Sequence, residues 1–184
     1  MSLVTHLKSF LTEIKNDKIE IYNEASVQYE LAIYLRQRIQ DKYKIQLERN
    51  IEYFGLTKKH FLKKEMDIVV FTQKRRTCIE LKFPRNGQYP EQMFSACKDI
   101  KFLEQLRDAG FKQSYFLMLA DDPLFYSNGR EEKPLYKIFR KEGALRGLIK
   151  KPTGSKDEKL KFNKEYRINW IELSGKLKYA LVSI

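Results

Sequence analysis

Histidine and cysteine are scarce in this chain, and acids are outnumbered. His6 and His60 are the only histidines, and Cys78 and Cys97 the only cysteines, among 184 residues. Neither histidine lies near a nucleophile motif, which argues against histidine-based general-base chemistry. The cysteines stand alone in apolar contexts without CxxC spacing. A disulfide scaffold or zinc site is thereby disfavoured, and two reduced core thiols in a cytoplasmic protein are expected. No apolar run approaches the roughly 18 to 20 residues needed to cross a bilayer. No basic-then-apolar leader with a small-residue cleavage site is evident either, so no membrane partner is expected. Internal repeats, low-complexity tracts and linkers are also missing. The chain reads as one domain over 1–184, long enough to bury a core without staples.

What is present in excess is positive charge. Against 24 Asp+Glu stand 36 Lys+Arg, a formal net charge of +12. A surplus of this size suits a polyanion, and nucleic acid is preferred to membrane because no basic amphipathic anchor stands out. Basic clusters fall at Lys58-Lys59, Lys63-Lys64, Lys74-Arg75-Arg76, Arg140-Lys141 and Lys150-Lys151, with Phe54, Phe61, Tyr89, Phe125, Tyr126 and Tyr136 nearby. Contact from these lysines and arginines to phosphate would be salt-sensitive and largely independent of base sequence. The plainer alternative is a solvated surface that is merely basic.

Acids inside apolar runs carry the sharper signal. Met66-Asp67-Ile68-Val69-Val70-Phe71-Thr72 and Thr77-Cys78-Ile79-Glu80-Leu81-Lys82-Phe83 are both rich in β-branched and aromatic residues, with Gln73-Lys74-Arg75-Arg76 between them as a polar turn. A hairpin folded about Lys74 sets Asp67 opposite Leu81, beside Glu80 and Lys82, which share a face because side chains alternate along a strand. Charges in such segments are costly unless they pair or hold a metal. The tripeptide itself is weak evidence: acid-x-Lys also occurs at Glu13, Asp99, Glu131 and Asp157. Only Glu80-Leu81-Lys82 lies in an apolar run with a partner acid on the preceding run. The alternative is a Glu80–Lys82 salt bridge on a strand edge, with Asp67 capping a turn.

A third acid lies upstream. Val27, Leu31, Tyr34, Leu35 and Ile39 recur at helical spacing, and Glu24 projects near the middle of that stripe, with Glu30 at its flank. Asn23 is a natural N-cap, and an acid in the first turn suits the helix dipole, which is the plain reading of Glu24. The sharper reading has Glu24 reaching the Asp67/Glu80 cluster.

Around these residues the spacing predicts a helix over 3–14, a strand over 44–54 and a turn-rich loop at 84–90. A helix over 91–108 ends at Gly110, and a strand over 113–120 is apolar throughout and so covered on both faces. Glu48 points away from the apolar side of the first strand, as a supporting acid or a surface residue. Beyond 121 a helix at 134–141, a loop at 151–157 and closing strands at 166–173 and 178–184 are expected. The class is α/β: a central mixed β-sheet flanked by helices.

This order of elements, with Glu24, Asp67 and Glu80-x-Lys82 on them, resembles the PD-(D/E)XK nuclease superfamily, the restriction-endonuclease-like fold, over roughly residues 20 to 121. The superfamily's motif proline is replaced by Met66, while its acid-x-Lys half is intact. Gln88 to Asp99, with Gln92 one turn into its helix, looks like the glutamine-bearing helix that follows the motif in many members. The resemblance implies a catalytic core over 20–121 and peripheral elements over 122–184. It also implies a metal-dependent nuclease hydrolysing DNA phosphodiesters. Asp67, Glu80, the Leu81 carbonyl and Glu24 would hold Mg²⁺ or Mn²⁺, Lys82 would orient the attacking water, and Gln92 would position phosphate or water. Lys58, Lys59, Lys63, Lys64 and Arg85 would grip the flanking backbone, and a restriction-type role predicts a homodimer. Two alternatives stay open: a nucleic-acid-binding protein on the same fold without catalysis, or an interaction subunit of a defence or repair assembly.

Overall fold

The structure is a computed structural model that describes residues 2–85, 87–127, 134–141, 143–154 and 157–184. Two helices open the chain, α1 (Leu3–Lys15) and α2 (Glu24–Arg38). Three strands follow, β1 (Lys44–Asn50), β2 (Glu65–Phe71) and β3 (Arg76–Lys82), then the long helix α3 (Tyr89–Asp108) and strand β4 (Gln113–Ala120). After a short helix α4 (Pro134–Arg140) come β5 (Ala144–Lys150), β6 (Lys159–Arg167), β7 (Trp170–Ser174) and β8 (Leu177–Ser183).

Six strands form one mixed sheet in the order β1-β2-β3-β4-β8-β7, and β5 and β6 form a separate hairpin. β3 and β4 are parallel because α3 carries the chain back between them; their other neighbours are antiparallel. Helices α1 and α2 cover one sheet face through Leu7, Phe10, Val27, Leu31 and Leu35 against Ile68, Ile79, Leu81 and Leu117. Helices α3 and α4 and the β5–β6 hairpin cover the other through Ala96, Ile100, Leu103, Phe139 and Phe162 against Val69, Cys78, Phe116 and Met118. β4 is therefore buried on both faces, as its unbroken apolar run requires. Cys78 and Cys97 are free and buried. Among the described residues, no helix is long and apolar enough to cross a membrane.

Three expectations need correction. The first strand stops at Asn50, and Ile51–Phe54 is a 3-10 turn whose Asn50 side chain accepts from the Glu52 N–H at 2.9 Å. The hairpin loop is Thr72–Arg75, with the Thr72 hydroxyl accepting from the Lys74 and Arg75 N–H groups, and Phe71 pairs with Arg76. The register Ile68↔Ile79 and Val69↔Cys78 then runs on to set Asp67 opposite Glu80, one residue from the expected Leu81. Past α4, the β5–β6 hairpin precedes the closing strands, and the residues around Tyr166 belong to it.

Candidate active site

α2 begins where the sequence places it. Asn23 Oδ1 accepts from the Ser26 N–H at 2.8 Å and Ser26 Oγ accepts from the Asn23 N–H at 3.0 Å, a capping box that fixes the first turn. Glu24 is thereby carried to the C-terminal end of β3, where its Oε2 accepts the Phe83 N–H at 2.8 Å and stands 3.7 Å from Lys82 Nζ.

Asp67 and Glu80 face each other across the β2–β3 pair. The Leu81 N–H donates to Asp67 Oδ2 at 2.7 Å, and the Asp67 N–H donates to Glu80 Oε1 at 3.2 Å. Leu81 itself turns its side chain to the α2 side of the sheet and is buried. Cys78 Sγ lies 3.4 Å from Glu80 Oε1, and the Glu80 side chain is wholly inaccessible to solvent.

Two further residues complete the cluster. Asp99 belongs to the buried stripe of α3, between Ala96 and Leu103, and is 4 % exposed. Lys63, expected to grip the nucleic-acid backbone, instead enters from the loop before β2. Its Nζ donates to Glu80 Oε2 and, at 3.0 Å, to Asp99 Oδ1, and lies 3.6 Å from Asp67 Oδ1. Lys82 Nζ is 3.8 Å from Asp99 Oδ2, an oxygen with no hydrogen-bond partner. Four carboxylates thus share two ammonium groups.

The electrostatics follow from that surplus. Burial, then the Asp67 charge, pushes Glu80 well above the ordinary carboxylate range. Burial likewise pushes Asp67 up to about 6, although Lys63 and the Leu81 N–H oppose the shift. Burial would lower the Lys63 ammonium, but Glu80, Asp99 and Asp67 together outweigh it and raise it instead. Burial, then Glu80, also pushes the Cys78 thiol up, so it is no nucleophile.

Strain accompanies the cluster. Glu48, across the β1–β2 pair from Asp67, has φ +48° in mid-strand. The Gln28 amide bridges Glu48 Oε1, at 2.5 Å, and the Asp67 carbonyl, at 2.8 Å. A left-handed backbone at a non-glycine strand residue is uncommon and gathers at functional sites.

The cluster opens into a groove of about 400 Å³ lined by Lys63, Lys82, Phe94, Lys98, Asp99 and Lys151 among others. Lys98 and Lys151 both pair with Glu158, at 2.7 and 3.4 Å, which ties the β5–β6 hairpin to the rim. A larger hollow of about 740 Å³ lies at the far end of the sheet by the β2–β3 turn, and among the described residues no carboxylate lines it.

The remaining expected residues are more dispersed. Gln92 is half-buried and two turns before Asp99 on α3. Arg85 pairs with Asp121 and stacks over Phe83. Lys58 donates to the Phe61 and Leu62 carbonyls at 3.0 and 2.7 Å, stapling its own loop, while Lys59 and Lys64 are exposed. Asp99 escaped the sequence reading, although an acid inside the Ala96–Ile100–Leu103 stripe was a usable sign.

The donor chemistry fits a hard divalent cation: the cluster offers carboxylate oxygens, no nitrogen or thiolate ligand, and one orphaned oxygen. Among the described residues, however, no three such side chains already stand at chelating spacing. The oxygens of Asp67, Glu80 and Asp99 surround the Lys63 ammonium instead. No family model, curated protein or solved structure matches this chain.

Proposed function

We propose that this protein is a metal-dependent nuclease of the PD-(D/E)XK type that hydrolyses phosphodiester bonds, with DNA as substrate. One observation carries the reading: Glu24 and Asp99 pair with Lys82, and Asp99 joins Asp67 and Glu80 around Lys63, so that acids from four elements gather beside a groove lined by Lys63, Lys82 and Asp99 in a chain of net charge +12. Asp67, Glu80 and Asp99, with the Leu81 carbonyl, would hold Mg²⁺ or Mn²⁺, and Glu24 would support its water shell. The bound ion would supply charge neutralisation at the scissile phosphate and a more acidic water. Lys82, which lies 3.7 Å from Glu24 and 3.8 Å from Asp99, would orient that water and meet the charge growing on phosphorus oxygens. Lys98 and Lys151 at the rim, and exposed Lys59 and Lys64, would contact flanking phosphates. Cutting both strands of a duplex would call for two copies of the chain.

The test uses supercoiled plasmid, single-stranded DNA and RNA, each with Mg²⁺, Mn²⁺ or EDTA. Cleavage of DNA is expected with either metal and none with EDTA. Glu80→Ala, Asp67→Asn and Lys82→Ala are each expected to slow it by about 10³-fold, the scale for removing one transition-state stabiliser. Undiminished cutting by Glu80→Ala would assign the activity to another site or a contaminant.

A second reading, a nucleic-acid-binding protein without catalysis, is favoured by Lys63, which gives the acids a cation of their own. Tight, salt-sensitive DNA retention in EDTA with no cleavage under any metal would select it.

A further inference from the structure

Lys63 differs from every other member of the cluster. Glu24, Asp67, Glu80, Lys82 and Asp99 are carried on helices or strands, whereas Lys63 lies in irregular chain just before β2. That chain is anchored on both sides of it by main-chain contacts: the Leu62 N–H donates to Gln105 Oε1 at 3.0 Å, and the Lys64 carbonyl accepts from the Ile51 N–H at 2.8 Å. The backbone on either side of Lys63 is thus hydrogen-bonded, while its side chain is held only by the acids and the Phe102 ring it touches. That side chain is 31 % exposed, against 0 % for Glu80 and 6 % for Asp99, so the ammonium reaches its acids from the solvent side. It can leave the way it came without moving the backbone.

A single positive charge also underfills the position. Three carboxylates contact the Lys63 ammonium, and Asp99 Oδ2, buried and lining the groove, still makes no hydrogen bond. A doubly charged ion at the same place would neutralise more of the surplus and could use this oxygen, which has only the Lys82 ammonium at 3.8 Å. The spacing that keeps the acids from chelating is the spacing of oxygens around an ammonium.

We propose that Lys63 is the exchangeable counter-cation of the Asp67–Glu80–Asp99 cluster, and that divalent-cation binding and Lys63 occupancy are mutually exclusive. With the ion bound, the Lys63 amine lies outside the cluster at the mouth of the groove, where a substrate phosphate would pass. The identity of the ion as Mg²⁺ or Mn²⁺ rests on the nuclease reading; the exchange itself rests on the geometry.

Two measurements test the exchange without substrate. Amine acetylation of the wild-type protein, read residue by residue by mass spectrometry, is expected to modify Lys63 at least threefold faster with saturating Mn²⁺ than in EDTA. Lys59 and Lys64, exposed in either state, serve as references. Mn²⁺ binding followed by calorimetry is expected to be at least tenfold tighter for Lys63→Met than for wild type. Lys82→Met removes an equal charge beside Asp99 without vacating the centre of the cluster, and is expected to tighten binding less.

Unchanged Lys63 reactivity under saturating Mn²⁺ would overturn the proposal, as would equal tightening by the two methionine variants. A protein that binds no Mn²⁺ in either form overturns it too. If Lys63→Met does not fold, the acetylation result decides alone. Metal-dependent cleavage with unchanged Lys63 reactivity would leave the nuclease reading standing and sink the exchange. The exchange without any cleavage would do the reverse.

Discussion

Helix α3 carries two buried acids, Asp99 and Glu104, whose surroundings differ in kind. Glu104 is 1 % exposed and saturated. Its Oε1 accepts from the Asn163 and Lys164 N–H groups at 3.2 Å each and from the Tyr166 hydroxyl at 3.1 Å, and its Oε2 pairs with Lys101. One negative charge meets one positive charge and a set of fixed donors, and the product is attachment of β6 to α3. Asp99 belongs to a cluster where acids outnumber ammonium groups, an oxygen lacks a partner, and the neighbouring strand carries a left-handed Glu48. A buried charge that is fully satisfied is a fastener. A buried charge held in surplus beside a groove is under-compensated, which marks a candidate functional site.

Substituting one acid in each cluster should separate these roles most sharply. Glu80→Gln is expected to reduce metal-dependent cleavage by about 10³-fold, roughly 4 kcal/mol of transition-state stabilisation. Its melting temperature in EDTA should equal or exceed that of wild type, because the change removes a buried charge already in excess. Glu104→Ala should do the opposite: destabilise by about 3 kcal/mol, since Lys101 and three donors lose a buried acceptor, and leave cleavage by the folded protein unchanged. A Glu80→Gln protein that melts well below wild type would place Glu80 with Glu104 among the fasteners.

Glu24, Asp67, Glu80 and Lys82 were legible before folding, Asp99 and Glu104 were not, and the illegible part has definable causes. Asp67 and Glu80 stood out because a carboxylate in a β-branched run has no cheap explanation, and Glu24 because the stripe of α2 includes it. The parallel β3–β4 pair follows from a helix of α3's length between two apolar runs. Lys63 was hidden because a lysine in a basic loop resembles its exposed neighbours Lys59 and Lys64; only the fold shows that its loop overhangs the acids. Asp99 was hidden by its tripeptide, one of five similar ones, although its place in the apolar stripe distinguished it. The β2–β3 register was off by one because a four-residue loop with Thr72 at its head leaves Arg76 in the strand. The β5–β6 hairpin has only one buried face, through Leu145, Leu160, Phe162 and Tyr166, so its signal is diluted by outward lysines such as Lys150 and Lys161.

Proton linkage offers a second, smaller contrast. Burial raises Asp67 to about 6, against about 4 in an unfolded chain. The folded state therefore holds more protons than the unfolded state between those values. The stabilising contribution of protonated Asp67 is complete below pH 4 and is lost as pH rises through 6. Asp67→Asn, which cannot ionise, should gain stability relative to wild type over that window, by roughly 2 kcal/mol. Thermal or urea melts of both proteins in EDTA from pH 4 to 7 would measure it. A constant gap across the window would mean that Lys63 compensates Asp67 fully and that the surplus is smaller than the geometry implies.

The smallest expected effect concerns the strain, and it decides whether Glu48 belongs to the site or only adjoins it. Glycine adopts φ +48° at no steric cost, whereas alanine retains the left-handed penalty. Glu48→Gly and Glu48→Ala both lose the hydrogen bond from Gln28, so that loss cancels between them. What survives the subtraction is the backbone term, and Glu48→Gly should be the more stable of the two by about 1 kcal/mol. If the bend serves to hold the Asp67 main chain against Gln28, both variants should slow cleavage similarly, because both free the amide that bridges Glu48 to the Asp67 carbonyl. Equal stabilities would show that the strand relaxes to ordinary extended geometry once the glutamate is gone, leaving the side-chain bridge, not the backbone, as what bends β1 beside the acids.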